Sequence, residues 1–223
     1  MIKNIKKATI IIPHPDDETI AAGGTLLLFK KYKIKVSALF ISGHLPPLYK
    51  KKDYEITKNE AKKALRSYSI SNHKFLDIPA TKVNEVEHYK LNVEISNFII
   101  KNRPDILLIP FPDRHIDHRI VFESSIVASR PNNKYFPRIV LAYETLSETH
   151  WNAPNIEPNF NANFYFDIST TIKDKLKILS YYKSQIKNND SRSVEAVKAL
   201  SKFRGSQNGC NYAEAFQLIR FVN

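Results

Sequence analysis

The 223-residue sequence predicts an α/β fold: a Rossmann-like, doubly wound, mostly parallel sheet with helices on both faces. Short, near-continuous apolar runs alternate with helical patterns along the chain, which is the sequence form of strands buried on both sides. Dense His/Asp loops directly follow two of those runs, where open α/β sheets bind ligands, outside the carboxyl ends of strands. No linker of Pro, Gly and Ser interrupts the alternation, so residues 1–223 read as one domain.

The first strand covers residues 8–12 and leads into a helix over 19–32. Ile20, Leu27, Leu28 and Phe29 supply its apolar side, and its closing lysines suit the negative end of a helix dipole. A second strand at 36–41 is followed by a long polar connection, 42–52. A helix beginning at Asp53 carries the stripe Ile56, Ala61, Ala64 and Leu65. The strand at 74–78 precedes a helix at 86–101, and the strand at 105–109 a helix at 118–128. Two more strands, 138–143 and 163–168, flank a second long connection, 144–161. Thr170 or Thr171 starts a helix running to about Gln185; Ser193, with Glu195 in the first turn, starts another that ends at Gly205. Connections as long as 42–52 and 144–161 serve as lids or binding walls.

Composition narrows the function classes. The 34 basic and 22 acidic residues give a net charge of +12, which invites an anionic partner. The lysines are scattered, however, without an arginine-rich arm or an aromatic RNA-binding motif, so they read as solvated faces and no specific nucleic acid is expected. A nucleic-acid module with a vestigial pocket is the rival from another class. The single cysteine, Cys210, allows no intrachain disulfide and reads as idle, which suits a cytoplasmic location. The apolar run after the basic N-terminus is too short for a signal peptide, and nothing approaches the roughly 20 apolar residues of a membrane span.

The chemistry lies in two loops. Pro13-His14-Pro15-Asp16-Asp17-Glu18 follows the first strand; Asp113-Arg114-His115-Ile116-Asp117-His118 follows the fourth. Brought together, they offer imidazoles and carboxylates suited to a borderline metal, with His14, Asp17 and His118 as three protein ligands and a fourth position left open. Zinc is the expected ion, and Fe2+ is possible with the same ligand set. Asp16, pointing away from its neighbour, is placed as general base. His115 is placed to stabilise an oxyanion or protonate a leaving amine, and Asp117 to orient His115 or a liganding histidine. Each motif alone has a bland reading, carboxylates capping a helix or surface histidines; their joint occurrence at two strand ends favours the site. Trp151, in the second long connection, is a candidate for stacking on a sugar face. Glu144 and Glu214 are candidate pocket-lining residues, while His44 reads as a solvated loop histidine.

At these residues the chain resembles the PIG-L/LmbE-like family of zinc-dependent N-deacetylases, whose signatures are an Ala/Pro-His-Pro-Asp-Asp-Glu loop and a His-x-Asp-His loop. Tyr143-Glu144, Arg204-Gly205 and the stretch 209–216 extend the likeness over nearly the whole chain. The resemblance implies zinc on His14, Asp17 and His118, Asp16 as base, His115 stabilising developing charge, and an N-acetylated amino sugar or sugar conjugate as substrate. A homo-oligomer is possible. An amidase acting on a longer acyl or thiol-conjugate amide is the alternative within hydrolases. Two positions depart from the family's pattern: Thr57 stands where many relatives place an arginine, and Asp113 where some place a tyrosine.

Overall fold

In the computed structural model, which describes residues 5–186 and 191–223, five strands run parallel. They are β1 (Lys7–Ile12), β2 (Lys35–Gly43), β3 (Asn72–Pro79), β4 (Ile106–Pro110) and β5 (Ile139–Tyr143). Two more, β6 (Phe164–Asp167) and β7 (Ala213–Phe221), complete a seven-stranded sheet ordered β3-β2-β1-β4-β5-β7-β6, with β7 antiparallel to both of its neighbours. The chain direction across the sheet reverses between β1 and β4. A crevice opens at such a switch point because the connections leaving the two strands go opposite ways.

The helices are α1 (Asp17–Lys31), α2 (Lys51–Tyr68), α3 (His88–Asn102), α4 (Ile116–Ala128), the single turn α5 (Leu146–Thr149), α6 (Ile172–Leu179) and α7 (Val194–Ser206). Alternation along the strands divides the core in two. Ile10, Ile12, Phe40 and Leu108 pack under α1, α2 and α6, while Ile11, Leu39, Leu107 and Ile109 pack under α3 and α4. Both sheet faces are thus covered, which is why these strands read as continuous apolar runs. Among the described residues no helix is long and apolar enough to cross a membrane.

Three elements differ from expectation, one being the single turn α5 inside the connection 144–161. The helix predicted to run to Gln185 ends at Leu179, where i→i−3 bonds, Tyr181 to Ile178 and Tyr182 to Leu179, tighten the chain. That tightening accompanies a buried Tyr182 whose hydroxyl donates to Glu18 at 2.5 Å. The last helix begins as read, with Ser193 Oγ accepting from the Ala196 N–H, and ends one residue past Gly205. Strand β7 was not anticipated. Its Glu214 is only 3% exposed, a burial that hydropathy alone argues against.

Candidate metal centre and active site

The loop after β1 and the loop after β4 meet at the switch point. Asp17 Oδ2 lies 3.4 Å from His14 Nδ1 and 3.4 Å from His118 Nε2. Those separations match the roughly 3.3–3.4 Å edge of a tetrahedron whose ligands stand about 2.0–2.1 Å from zinc. His118 Nε2 is buried and has no hydrogen-bond partner, a costly state for a polar atom unless a ligand completes it. On this test the residues fit a tetrahedral cation.

Each imidazole is held from behind by a carboxylate. His118 Nδ1 faces Asp113 Oδ2 at 3.0 Å, and His14 Nε2 faces Asp117 Oδ2 at 2.8 Å. Such contacts put the proton on the outer nitrogen and leave the inner lone pair for a metal. Asp117 also accepts the Thr81 N–H at 2.7 Å, and Asp113 accepts the Thr149 hydroxyl at 2.9 Å and the His115 N–H at 3.0 Å. Asp117 Oδ2 thus contacts His14 directly, whereas His115 Nδ1 lies 4.0 Å from it. Burial disfavours charge on His14, but the bonds to Asp117 and Asp17 outweigh it and raise its pKa to about 9. Burial likewise works against charge on His118, yet Asp113 and Asp17 raise it well above the usual histidine range. Protons on these rings answer the same surplus of carboxylate charge that a dication would satisfy.

Ring nitrogens of His14, His115 and His118 also lie within 4.8 Å of one another, so His115 competes with Asp17 as the third ligand. Hydrogen bonding argues against His115 in that role. His115 caps α4, its Nδ1 accepting the Asp117 N–H at 3.2 Å. A neutral ring that accepts at Nδ1 carries its proton on Nε2, which makes that atom a donor rather than a ligand. Burial, reinforced by His14 and His118, pushes the His115 pKa down to about 3.

Asp16 is 2% exposed and has φ 117°, a left-handed conformation that costs a non-glycine residue about 1–3 kcal/mol. Glu18 braces it by accepting the Asp16 N–H at 3.2 Å, and Arg192 Nη1 stands 3.4 Å from Asp16 Oδ2. Burial pushes the Asp16 carboxyl up to about 8 against the pull of Arg192. Arg192 also contacts Ser147, Gln185 and Glu148.

The peripheral expectations fare less well. Glu144 is 4% exposed, and its oxygens are taken by Arg204, at 2.8 and 2.6 Å, and by His150 at 3.1 Å. Glu214 accepts the N–H groups of Gly24 and Thr25 inside α1 and pairs with Lys175 at 2.7 Å. Both carboxylates are thus engaged in buried ion pairs. Trp151 is 53% exposed in the loop after α5. His44 is half-buried against Tyr49, with Gln185 Nε2 at 3.3 Å, rather than solvated. Thr57 is buried, its hydroxyl donating to the Asp53 carbonyl at 2.9 Å and standing 3.4 Å from Ser184 Oγ.

Sequence reasoning gave no role to Asp113, Glu18 or Arg192. Asp113 carried a signal, a carboxylate five residues before the candidate ligand His118 in the same loop. Arg192 carried none, since the chain between α6 and α7 has no motif.

A family profile described as PIG-L, GlcNAc-PI de-N-acetylase, matches residues 9–129. The diacetylchitobiose deacetylase of Thermococcus kodakarensis is 27% identical over 240 residues, covering 98% of this chain and 84% of its own. The structure of the N,N'-diacetylchitobiose deacetylase from Pyrococcus horikoshii, complexed with its inhibitor MPG, superposes with a TM-score of 0.79 at 21% identity. That match covers 98% of this chain and 85% of the other. GalB, the 4-carboxy-2-hydroxymuconate hydratase of Pseudomonas putida KT2440, superposes with a TM-score of 0.78 at 16% identity, covering 98% of both chains. The fold therefore hosts more than one reaction, and the chemistry has to be argued from the site.

Proposed function

The chain belongs to the PIG-L family, and we propose that it is an N-deacetylase that hydrolyses the acetamide of an amino-sugar substrate, with one zinc ion held by His14, Asp17 and His118. When bound, zinc polarises the acetamide carbonyl and renders water nucleophilic near neutral pH. The observation that supports this reading best is the convergence of two carboxylate-backed imidazoles on Asp17, one of them with a buried, unpartnered nitrogen.

The side chains divide the remaining work. Asp16 accepts a proton from the attacking water and returns it to the departing amine, so that acetate and a free amino sugar leave. His115 Nε2–H donates to the oxygen on which charge develops. Asp113 and Asp117 keep the two ligand rings in one tautomer and one orientation. Glu18 holds the strained Asp16 backbone through its N–H, and Arg192 holds the carboxylate. Trp151, exposed in the loop after α5, supplies an apolar face for a sugar ring.

Release of free amine from N,N'-diacetylchitobiose and N-acetylglucosamine conjugates tests the reading. The native chain should turn over an N-acetyl sugar, and Asp16→Ala should lower the rate by roughly 10²- to 10⁴-fold while zinc stays bound. Full activity in that variant removes Asp16 from the mechanism. Preference for N-acyl chains longer than acetyl would instead assign a longer-acyl amidase.

A further inference from the structure

At the opposite end of the sheet from the metal centre, the amino ends of β1, β2 and β3 frame an open cleft of about 700 Å³. Five lysines line it: Lys7, Lys30, Lys33, Lys35 and Lys101. Lys7 opens β1 and Lys35 opens β2, and the two are direct partners in the parallel register. Like charges set opposite each other on neighbouring strands destabilise the pair. Lys30 lies in the last turn of α1 on one face of the sheet, and Lys101 in the last turn of α3 on the other. Positive charge therefore reaches the cleft from both layers.

Part of this charge has a structural explanation. Lysines at helix C-termini offset the dipole, and Lys30 Nζ donates to the Ser67 carbonyl at the end of α2 at 2.8 Å. Three helix ends, those of α1, α2 and α3, together carry about −1.5 charges, too little to balance five ammonium groups. Lys7 and Lys35 begin strands, where no such dipole exists. Asp105, next to β4, accepts the backbone N–H groups of Lys6 and Lys7 through Oδ2. Among the described residues, no ion pair reaches any of the five lysines.

We propose that this cleft is a second binding site, separate from the metal centre, for a small ligand carrying two or more phosphate groups. Its volume falls within the usual range of small-molecule sites, about 300–1,000 Å³, and Ser69, Ser71, Asn72 and Asn102 add polar groups to its lining. A strand of nucleic acid fits less well. Tyr68, the one aromatic residue in the lining, is 2% exposed and offers no platform for stacking a base.

Calorimetric titration of the zinc-loaded protein at low salt with pyrophosphate, tripolyphosphate and ADP tests the assignment. Saturable binding at one site is expected, weakening as salt is raised. Lys7→Gln/Lys35→Gln should weaken it at least 10-fold and leave acetate release unchanged, whereas Lys50→Gln/Lys51→Gln, which removes equal charge elsewhere, should bind as the native chain does. Tighter binding of ADP than of pyrophosphate would identify a nucleotide, and equal binding an inorganic or sugar-linked diphosphate. Absence of saturable binding, equal loss in both double variants, or binding confined to long oligonucleotides would overturn the proposal.

Discussion

Asp113 illustrates how a residue remote from the reacting atoms governs those that touch them. Its carboxylate is fully buried and accepts bonds from His118, His115 and Thr149, so one side chain fixes a proposed ligand ring, a cap and the start of the next loop. Asp113→Asn retains the shape but loses the charge that fixes the His118 tautomer, and zinc affinity should fall about 10- to 100-fold. Competition against a chromogenic chelator measures this, and an unchanged affinity would show that the ring needs no such partner. The proposed ligands and base were legible in the sequence because short-range spacing alone places His14, Asp16, Asp17, His115 and His118 in two loops. The partners of these residues were not, because Arg192 meets Asp16 across 176 positions and no local pattern encodes that approach.

Long contacts between elements engage the two glutamates that the sequence offered as pocket-lining candidates. Glu214 on β7, Lys175 on α6 and the interior of α1 form one buried cluster, with Lys175 Nζ also donating to the Ile20 carbonyl at 2.8 Å. Glu214→Ala leaves an unpaired ammonium under α1 and should cost about 3–5 kcal/mol, read from the urea midpoint at constant m-value. A midpoint within experimental error of the native value would refute the buried pair. Glu144 joins β5 to α7 in the same way. Burial opposes its charge, but His150 and Arg204 outweigh that and hold its pKa below the ordinary 4.5. Because the folded value is the lower one, the pair stabilises the protein above about pH 4.5, and this contribution is lost as pH falls through the folded pKa. Glu144→Gln should therefore be less stable than the native chain at neutral pH and show a shallower acid limb in stability against pH. Parallel acid limbs would contradict it. Gly205 lets α7 approach the following loop, since a Cβ there would stand 2.7 Å from the Cys210 carbonyl oxygen. Six of the seven strands were readable from apolar runs, whereas β7 was hidden by a charge whose partner lies on another element.

Across the whole molecule, the order of the strands does what no single loop can do. Residues 14–18 and 113–118 lie far apart in the chain, yet β1 and β4 are neighbours, and their connections diverge to opposite faces. The two loops are left facing each other over the sheet's carboxyl edge. An α/β fold was predictable from periodicity, and the meeting of the loops from the general behaviour of such folds. The lysine-lined cleft at the other edge was not, because Lys7, Lys35 and Lys101 become neighbours only through the sheet. The central claim is that a single cation is gripped by both loops at once. Elemental analysis of zinc bound per chain after dialysis, on the native protein and on His118→Ala, tests it most directly. One zinc per native chain and close to none in the variant is the predicted result; equal zinc in the two, or none in either, would contradict it.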